Sequence, residues 1–504
     1  LKKFALISVS NKSGIVEFAE NLIQFNYSIL ATGNTAKLLR ESKIECKDVS
    51  DFTGFPEIFQ GRVKTLHPKI LGGILLRRNN KSDLEEANIN SIFPIDIVCV
   101  NLYPFPEVMN KNIPLEEKIE NIDIGGPTLI RAAAKNFEFV SVLTSPEQYE
   151  RFLLELQAGE ISIETRRKLA GKAFEHTAYY DSLIADFFEK KFELKPDYLK
   201  INLPLARELR YGENPHQKAF VYGNFEDYFE KLHGRELSYN NIVDLQSAVE
   251  LSRDLGENSC VIIKHTNPCG SAIGENSLDA YLKALSCDPI SAFGGIVAFY
   301  DTLNAEVAEK LNEIFLEIVA APNFTEDALE ILRKKKNRRI IKIKKYEDFN
   351  NTIIKTIPGG FLAQQKDNST IEKIKFDVVT KKKISEKEFK DLQFAWTICK
   401  HTKSNAIVIV KDRKGIGIGA GQMSRVDSAR ISIEKAKEHG HNLEGAVAAS
   451  DAFFPFPDGV EILAANGISS IVQPGGSVRD NLVIETANKL NISMAFTGIR
   501  NFKH

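Results

Sequence analysis

Two short strings in this 504-residue chain set a cation, an imidazole and a hydroxyl side by side. Lys264-His265-Thr266-Asn267 closes the apolar run Val261-Ile262-Ile263, and Lys400-His401-Thr402 leads through Lys403-Ser404-Asn405 into a second apolar run at 406–410. An imidazole titrates near neutral pH and can take a proton from a nucleophile. An adjacent ammonium can hold the negative charge that develops on an attacked carbonyl oxygen. Alone, a Lys-His pair reads as a surface turn, so its chemistry rests on what surrounds it. Its recurrence beside two apolar runs predicts that two related α/β lobes make up this half of the chain.

A second group of candidates lies nearer the N-terminus. Ser8-Val9-Ser10-Asn11-Lys12-Ser13-Gly14 follows one apolar run, and Thr32-Gly33-Asn34-Thr35-Ala36 follows the next. Hydroxyls, glycines and backbone N–H groups at a helix start form an anion site, to which Lys12 adds a cation. Each string also serves as an ordinary strand-to-helix turn with its N-cap. Two of them on neighbouring strands favour phosphate. Gly61-Arg62-Val63-Lys64-Thr65-Leu66-His67-Pro68 puts two cations, a hydroxyl and an imidazole in a stretch without apolar periodicity. It reads as a solvated loop or as a polar lining over a phosphorylated substrate. Asn101-Leu102-Tyr103-Pro104-Phe105 follows an expected strand at 95–100. Asp123-Ile124-Gly125-Gly126-Pro127 leads into an expected helix at 128–135, whose Arg131 and Lys135 share a face. No Walker A string occurs, and Gly415-Ile416-Gly417-Ile418-Gly419-Ala420-Gly421 fits no G-x-G-x-x-G, so nucleoside triphosphates and dinucleotides are not favoured.

The elements that must position these residues alternate. Strands are predicted at 4–9, 28–31 and 95–100, with helices at 15–25 and 36–41. Such alternation gives an α/β fold with a parallel sheet and helices on both faces, and its ligands bind at the C-terminal strand ends. The charged, proline-containing stretch 190–197 predicts a boundary between domains 1–196 and 197–504. The composition, 43% hydrophobic and 26% charged, is that of a globular protein. Lys+Arg 66 against Asp+Glu 67 argues against a general nucleic-acid or membrane surface. No apolar run approaches the ~18 residues of a membrane helix. The run at 4–9 is too short for a signal-peptide core and reads as a buried strand. Six cysteines without a C-x-x-C spacing read as reduced thiols in a cytosolic protein. The basic run Arg333-Lys334-Lys335-Lys336-Asn337-Arg338-Arg339 reads as a solvated helix end, or more sharply as a docking strip for an anionic ligand tail.

Taken in order, the N-terminal strings resemble the cyclohydrolase domain of the bifunctional phosphoribosylaminoimidazolecarboxamide (AICAR) formyltransferase / IMP cyclohydrolase family. The resemblance continues through Leu209-Arg210-Tyr211-Gly212-Glu213-Asn214-Pro215-His216-Gln217, Lys264-His265-Thr266-Asn267-Pro268 and Ser291-Ala292-Phe293-Gly294-Gly295. It ends with Gly417 to Arg425, Ser450-Asp451-Ala452-Phe453-Phe454-Pro455-Phe456 and Gln473-Pro474-Gly475-Gly476-Ser477, and so covers essentially the whole chain. It implies a methylglyoxal-synthase-like parallel-sheet domain followed by two cytidine-deaminase-like α/β lobes. It also implies a homodimer in the cytoplasm that acts on small molecules, with no nucleic-acid or membrane partner. A zinc deaminase carries H-x-E and P-C-x-x-C. Here Pro268-Cys269 is followed by Gly270 and Ser271, so no catalytic metal is expected.

The resemblance also implies roles. In formyl transfer from 10-formyltetrahydrofolate to AICAR, His265 is expected as base, Lys264 as oxyanion stabiliser and Asn405 beside the reacting groups. AICAR is expected on Arg210, Tyr211, Gly294, Glu317, Arg425, Phe453 and Arg500, and the folate on Val426, Asp458, Gly475 and Gly476. His401 departs from the family, where tyrosine is common, and stands as a rival imidazole. For ring closure the expected catalytic set is Lys64, Tyr103, Asp123 and Lys135. The substrate is expected on Ser10, Lys12, Thr32, Gly33, Asn34 and Thr35, with Arg62, Thr65, Asn101 and Gly125 lining the same site. Two other readings stand beside this one: a deaminase-like nucleotide hydrolase, and a nucleotide sensor whose phosphate loops bind without catalysis.

Overall fold

The computed structural model describes residues 2–346 and 352–504. The chain divides into two compact units, Leu1–Asn202 and Leu203–His504. The division falls beyond residue 196 because the segment after the long helix Ile163–Lys191 folds back onto it. Lys200 reaches Glu189 at 2.5 Å and Asp186 at 3.5 Å.

The first unit is built on five parallel strands. They are β1 (Lys3–Ser8), β2 (Tyr27–Ala31), β3 (Cys46–Asp48), β4 (Ile97–Val100) and β5 (Ser141–Leu143), in the order β3-β2-β1-β4-β5. Helices α1 (Ile15–Gln24) and α2 (Gly33–Glu41) carry the chain from β1 through β2 to β3. The right-handed rule for parallel crossovers puts these two helices on one face and the β4–β5 crossover on the other. The strands therefore read as apolar runs rather than alternations. Ala5, Leu6 and Ile7 of β1 are fully buried, as are the residues of β4. The strand order reverses between β1 and β4, and the crevice at such a switch point is where ligands bind in open α/β sheets. A third helix, α3 (Gly125–Lys135), starts three residues before the expected 128. Pro127 falls in its first turn, where a missing N–H costs no hydrogen bond.

The second unit holds a duplicated lobe. The first copy runs α4 (Tyr239–Leu255), β6 (Ser259–Lys264), β7 (Asn267–Ile273), α5 (Ser277–Cys287), β8 (Ile296–Phe299), β9 (Ile318–Ala321), β10 (Arg339–Ile343). The second runs α6 (Glu386–Lys400), β11 (Ile407–Lys411), β12 (Lys414–Gly419), α7 (Arg425–Glu438), β13 (Ala446–Ser450), β14 (Ile468–Gln473), β15 (Ser493–Phe496). Each copy places its strands in one order, β7-β6-β8-β9-β10 and β12-β11-β13-β14-β15. Each opens with an antiparallel hairpin and closes with parallel pairs. The copies join through an antiparallel contact of β7 with β12, Ala272 opposite Lys414, and with the edge strands Phe229–His233 and Asp377–Val378 they make one twelve-stranded sheet.

The duplication is real, but the echoed tripeptide does not mark it. Lys264-His265-Thr266 turns the β6–β7 hairpin, whereas Lys400-His401-Thr402 ends helix α6 ahead of β11. The counterpart of His265-Thr266 is Asp412-Arg413, which turns β11 into β12. The glycine run has a packing cause. A Cβ on Gly417 or Gly419 would lie 2.0 Å from the carbonyl oxygen of Ser432 or Ser428, so only glycine lets α7 sit this close to β12.

Candidate functional site

In the first unit, side chains after β1, β2 and β4 tie three loops together at the switch point. Asn101 accepts from the backbone N–H of Ser10 (2.6 Å) and Asn11 (2.9 Å) and donates to the Asn11 carbonyl (3.0 Å). That uses its oxygen fully and leaves one amide hydrogen for a ligand. Thr35 Oγ1 accepts from Val9 N–H and donates to its carbonyl, and the Ser8 and Thr32 hydroxyls meet at 2.8 Å. Gly33 and Asn34 open helix α2 beside them.

Two cations face this crevice. Lys12 donates to the Val9 carbonyl at 2.8 Å. Burial and the neighbouring Lys64 hold its ammonium below the usual lysine range. Two like charges brought together in a half-buried site call for an anion, which would relieve both. Thr65 and Gly125 touch so closely that a Cβ on Gly125 would sit 2.9 Å from Thr65 Oγ1. Asp123 lies at the same place. Burial pushes its carboxyl up, opposed by the N–H groups of Gly126 and Tyr103 and by Lys64. Gly126 donates to it at 2.8 Å, and Tyr180 Oη accepts the Asp123 N–H at 2.9 Å. Lys12, Lys64, Thr65, Tyr103, Asp123 and Gly125 thus form one cluster beside the Ser10 and Thr32–Thr35 loops.

The other candidates from these strings have partners or positions of their own. Arg62 forks onto Glu120, with Nε 3.1 Å from Oε2. His67 accepts from Lys69 N–H and caps the following helix. Lys135 lies at the far end of α3 from Gly125, about 15 Å along the axis at 1.5 Å per residue. It lines a separate groove of about 650 Å³ with Arg131, Arg167 and Phe174.

In the second unit, Lys264 and His265 line one cavity of about 310 Å³ with Asn267, Asp288 and Lys435. Lys264 Nζ donates to the Phe293 carbonyl at 2.8 Å, beside Gly294 in the left-handed region (φ 75°). Asn267 Oδ1 accepts the Lys403 N–H at 3.0 Å, which joins the hairpin turn to the Asn405 loop. Asn405 accepts from Arg425 Nη2 at 2.7 Å and donates to the carbonyls of Gln422 and Met423. Arg425 is buried. It pairs with Asp451 and donates to Ser450 Oγ and the Phe453 carbonyl, so most of its donors are engaged within the protein. Val426 follows it on α7.

The remaining expected contacts are more exposed. Arg210 stacks on Tyr211 and Arg500 on Phe502. Glu317 is paired with Arg339. Asp458 opens a helix, Gly475 lies against Phe496, and Gly476 (φ 95°) has open space where a Cβ would be. Of the basic run, Arg338 is buried and donates to the Leu311 and Ile314 carbonyls. The exposed strip therefore narrows to Arg333-Lys334-Lys335-Lys336.

His401 is not at the cavity. It is buried at the end of α6, with Nε2 2.8 Å from Asp254 Oδ2. Lys400 reaches the same oxygen at 3.0 Å. Burial opposes ionisation of Asp254, but these partners outweigh it and hold the carboxyl below the usual range. Burial likewise lowers the imidazole, which fits a neutral ring donating Nε2–H to a carboxylate.

Residues 133–435 match the family described as "AICARFT/IMPCHase bienzyme", and residues 14–128 match the "MGS-like domain". The chain is similar over its full length to proteins named "Bifunctional purine biosynthesis protein PurH". That of Thermoanaerobacter sp. (strain X514) is 51% identical over 100% of both chains. That of Persephonella marina (strain DSM 14350 / EX-H1) is 49% identical over 99% of both. That of Aquifex aeolicus (strain VF5) is 49% identical over 99% of this chain and 100% of the other.

Proposed function

Because this chain belongs to the family of AICARFT/IMPCHase bienzymes, we propose that its two units divide the two reactions between them. The chain carries both activities of purine synthesis, formyl transfer onto AICAR and ring closure to IMP. The division rests on one observation: Lys264 and His265 share a cavity in the second unit, while Lys12, Lys64 and Asp123 share a cluster in the first.

In formyl transfer the 5-amino nitrogen of AICAR attacks the formyl carbon of 10-formyltetrahydrofolate. His265 takes the amine proton and the Lys264 ammonium holds the oxyanion. The C–N10 bond then breaks, N10 takes up a proton and tetrahydrofolate leaves. Asn405 orients the reacting groups. AICAR takes the Arg210, Tyr211, Gly294, Glu317, Arg425, Phe453 and Arg500 region, and the folate takes Val426, Asp458, Gly475 and Gly476. The Asp458 carboxylate suits the donor-rich edge of a pterin, and the open space at Gly476 admits a flat ring.

In ring closure the carboxamide nitrogen attacks the formyl carbon on the same ring, so proximity supplies much of the rate. The 5′-phosphate lies between the Ser10–Lys12 and Thr32–Thr35 loops. Lys64 holds the developing oxyanion, Asp123 accepts the amide proton and Tyr103 relays it as water departs. Lys135 stands a helix length away within one chain, so it would enter only from a second copy. We read the working form as a cytoplasmic homodimer. Among the described residues no helix is long and apolar enough to cross a membrane.

The raised carboxyl of Asp123 gives this assignment a pH signature. A base must be ionised, and a raised pKa keeps the protonated form to higher pH. The ring-closing rate on formylated substrate is therefore expected to fall on acidification with its limb above the ordinary carboxylate value of about 4. A pH–rate profile flat through that region would remove Asp123 as the base.

A further inference from the structure

The turn that carries His265 is built against the steric preference of its residues. His265 (φ 51°) and Thr266 (φ 62°) both occupy the left-handed region. They form a two-residue hairpin between the paired residues Lys264 and Asn267. Such a turn needs positive φ at both positions and favours Asn-Gly, because a side chain there costs roughly 1 kcal/mol or more per residue. This chain has no glycine in the turn. It has a carboxylate beneath it: Asp244, on α4, accepts from Thr266 N–H at 2.7 Å and from His265 N–H at 3.2 Å.

The other lobe repeats the device. Asp412 and Arg413 (φ 52° each) turn β11 into β12, and Asp391 on α6 accepts from both N–H groups, at 3.0 and 2.7 Å. In each lobe the aspartate precedes the two turn residues by 21 and 22 positions. The helices share Asp-Leu-Gln-x-Ala, as Asp244-Leu245-Gln246 with Ala248 and as Asp391-Leu392-Gln393 with Ala395. The second turn lies at the opposite end of β7, where Ile273 N–H donates to the Arg413 carbonyl. That is a strand length, roughly 20 Å, from His265. One clamp thus holds an imidazole in a cavity, and its twin holds residues that no step uses.

We propose that Asp244 is a positioning residue for formyl transfer: it fixes the left-handed turn that aims His265, and with it Lys264, into the cavity. The proposal rests on the assignment of His265 as the base. Asp391 supplies an internal control of matched geometry. Asp244→Ala is expected to lower kcat for formyl transfer about 10- to 100-fold with the KM for AICAR changed less than about threefold, since a small misplacement of a reacting group costs that much. Asp391→Ala should keep kcat within about twofold. Adding Thr266→Gly to Asp244→Ala should restore kcat about tenfold, because glycine takes positive φ without the steric cost. Folding is checked by circular dichroism and by the ring-closing activity of the same sample. If Asp244→Ala does not fold, Asp244→Asn, which keeps one acceptor oxygen, is expected to lose kcat in the same sense by about 3- to 10-fold.

Full activity in a folded Asp244→Ala or Asp244→Asn enzyme overturns the proposal. So does an equal loss in Asp391→Ala, or no rescue by glycine. His265→Ala, assayed alongside, separates the claims. An active His265→Ala enzyme overturns the base assignment and the proposal with it. An inactive one beside a fully active Asp244→Ala enzyme overturns the proposal alone.

Discussion

Replacing His265 by alanine is expected to lower formyl transfer about 10²- to 10⁴-fold, the contribution of a positioned general base. The cause is specific to this imidazole. It sits with Lys264 on one wall of a cavity, on a turn tied to the Asn405 loop through Asn267 and Lys403. The chain offers a second imidazole in a similar string, and the structure separates the two. His401 is buried at a helix end against Asp254 and Lys400, away from the cavity. His401→Ala is expected to cost about 1–3 kcal/mol of stability, the usual penalty when a buried hydrogen-bonding group loses its partner. It should leave formyl transfer within several-fold of the parent. Steady-state rates of both variants, with urea unfolding of each, check this. Loss of formyl transfer in a stable His401→Ala enzyme with retention in His265→Ala would reverse the assignment.

Lys64→Ala is expected to lower ring closure about 10²- to 10³-fold, as when one donor to an oxyanion is removed. Lys64 is near enough to Lys12 to depress its ammonium and near enough to Asp123 to act on its carboxyl. It therefore acts on both Lys12 and Asp123 within the cluster. Formyl transfer should be unchanged, so the formylated intermediate should accumulate when AICAR and formylfolate are supplied. Chromatography of the products checks this. Unimpaired IMP formation would show that Lys64 does not carry the oxyanion.

Much of this was legible in the sequence where local pattern and tertiary position agree. The strands before the Ser10 and Thr32 loops are unbroken apolar runs because both faces of a parallel sheet are covered. Their loops reach the crevice because the sheet order reverses there. What pattern did not show is distance and partnership. Lys135 shares a short segment with Asp123 and Gly125, but a helix between them carries it to the other end. Arg338 reads as part of a solvated charge run and Arg425 as a substrate contact, yet both are buried with donors engaged inside the protein. The tripeptide echo suggested two lobes in a register the fold does not use. The signal that marks the duplication, Asp-Leu-Gln-x-Ala, looks in sequence like an ordinary helix face. Asp244 is invisible for the same reason, since only the fold brings it under a turn 21 residues later.

The most direct test of the account is the fate of each substrate on a Lys264→Ala enzyme. Supplied with AICAR and 10-formyltetrahydrofolate, it should form almost no formylated product. Supplied with the formylated intermediate, it should release IMP at the parent rate, because ring closure uses the other unit. Loss of both activities in a folded Lys264→Ala enzyme, or retention of formyl transfer, would contradict the division of the two reactions between the units.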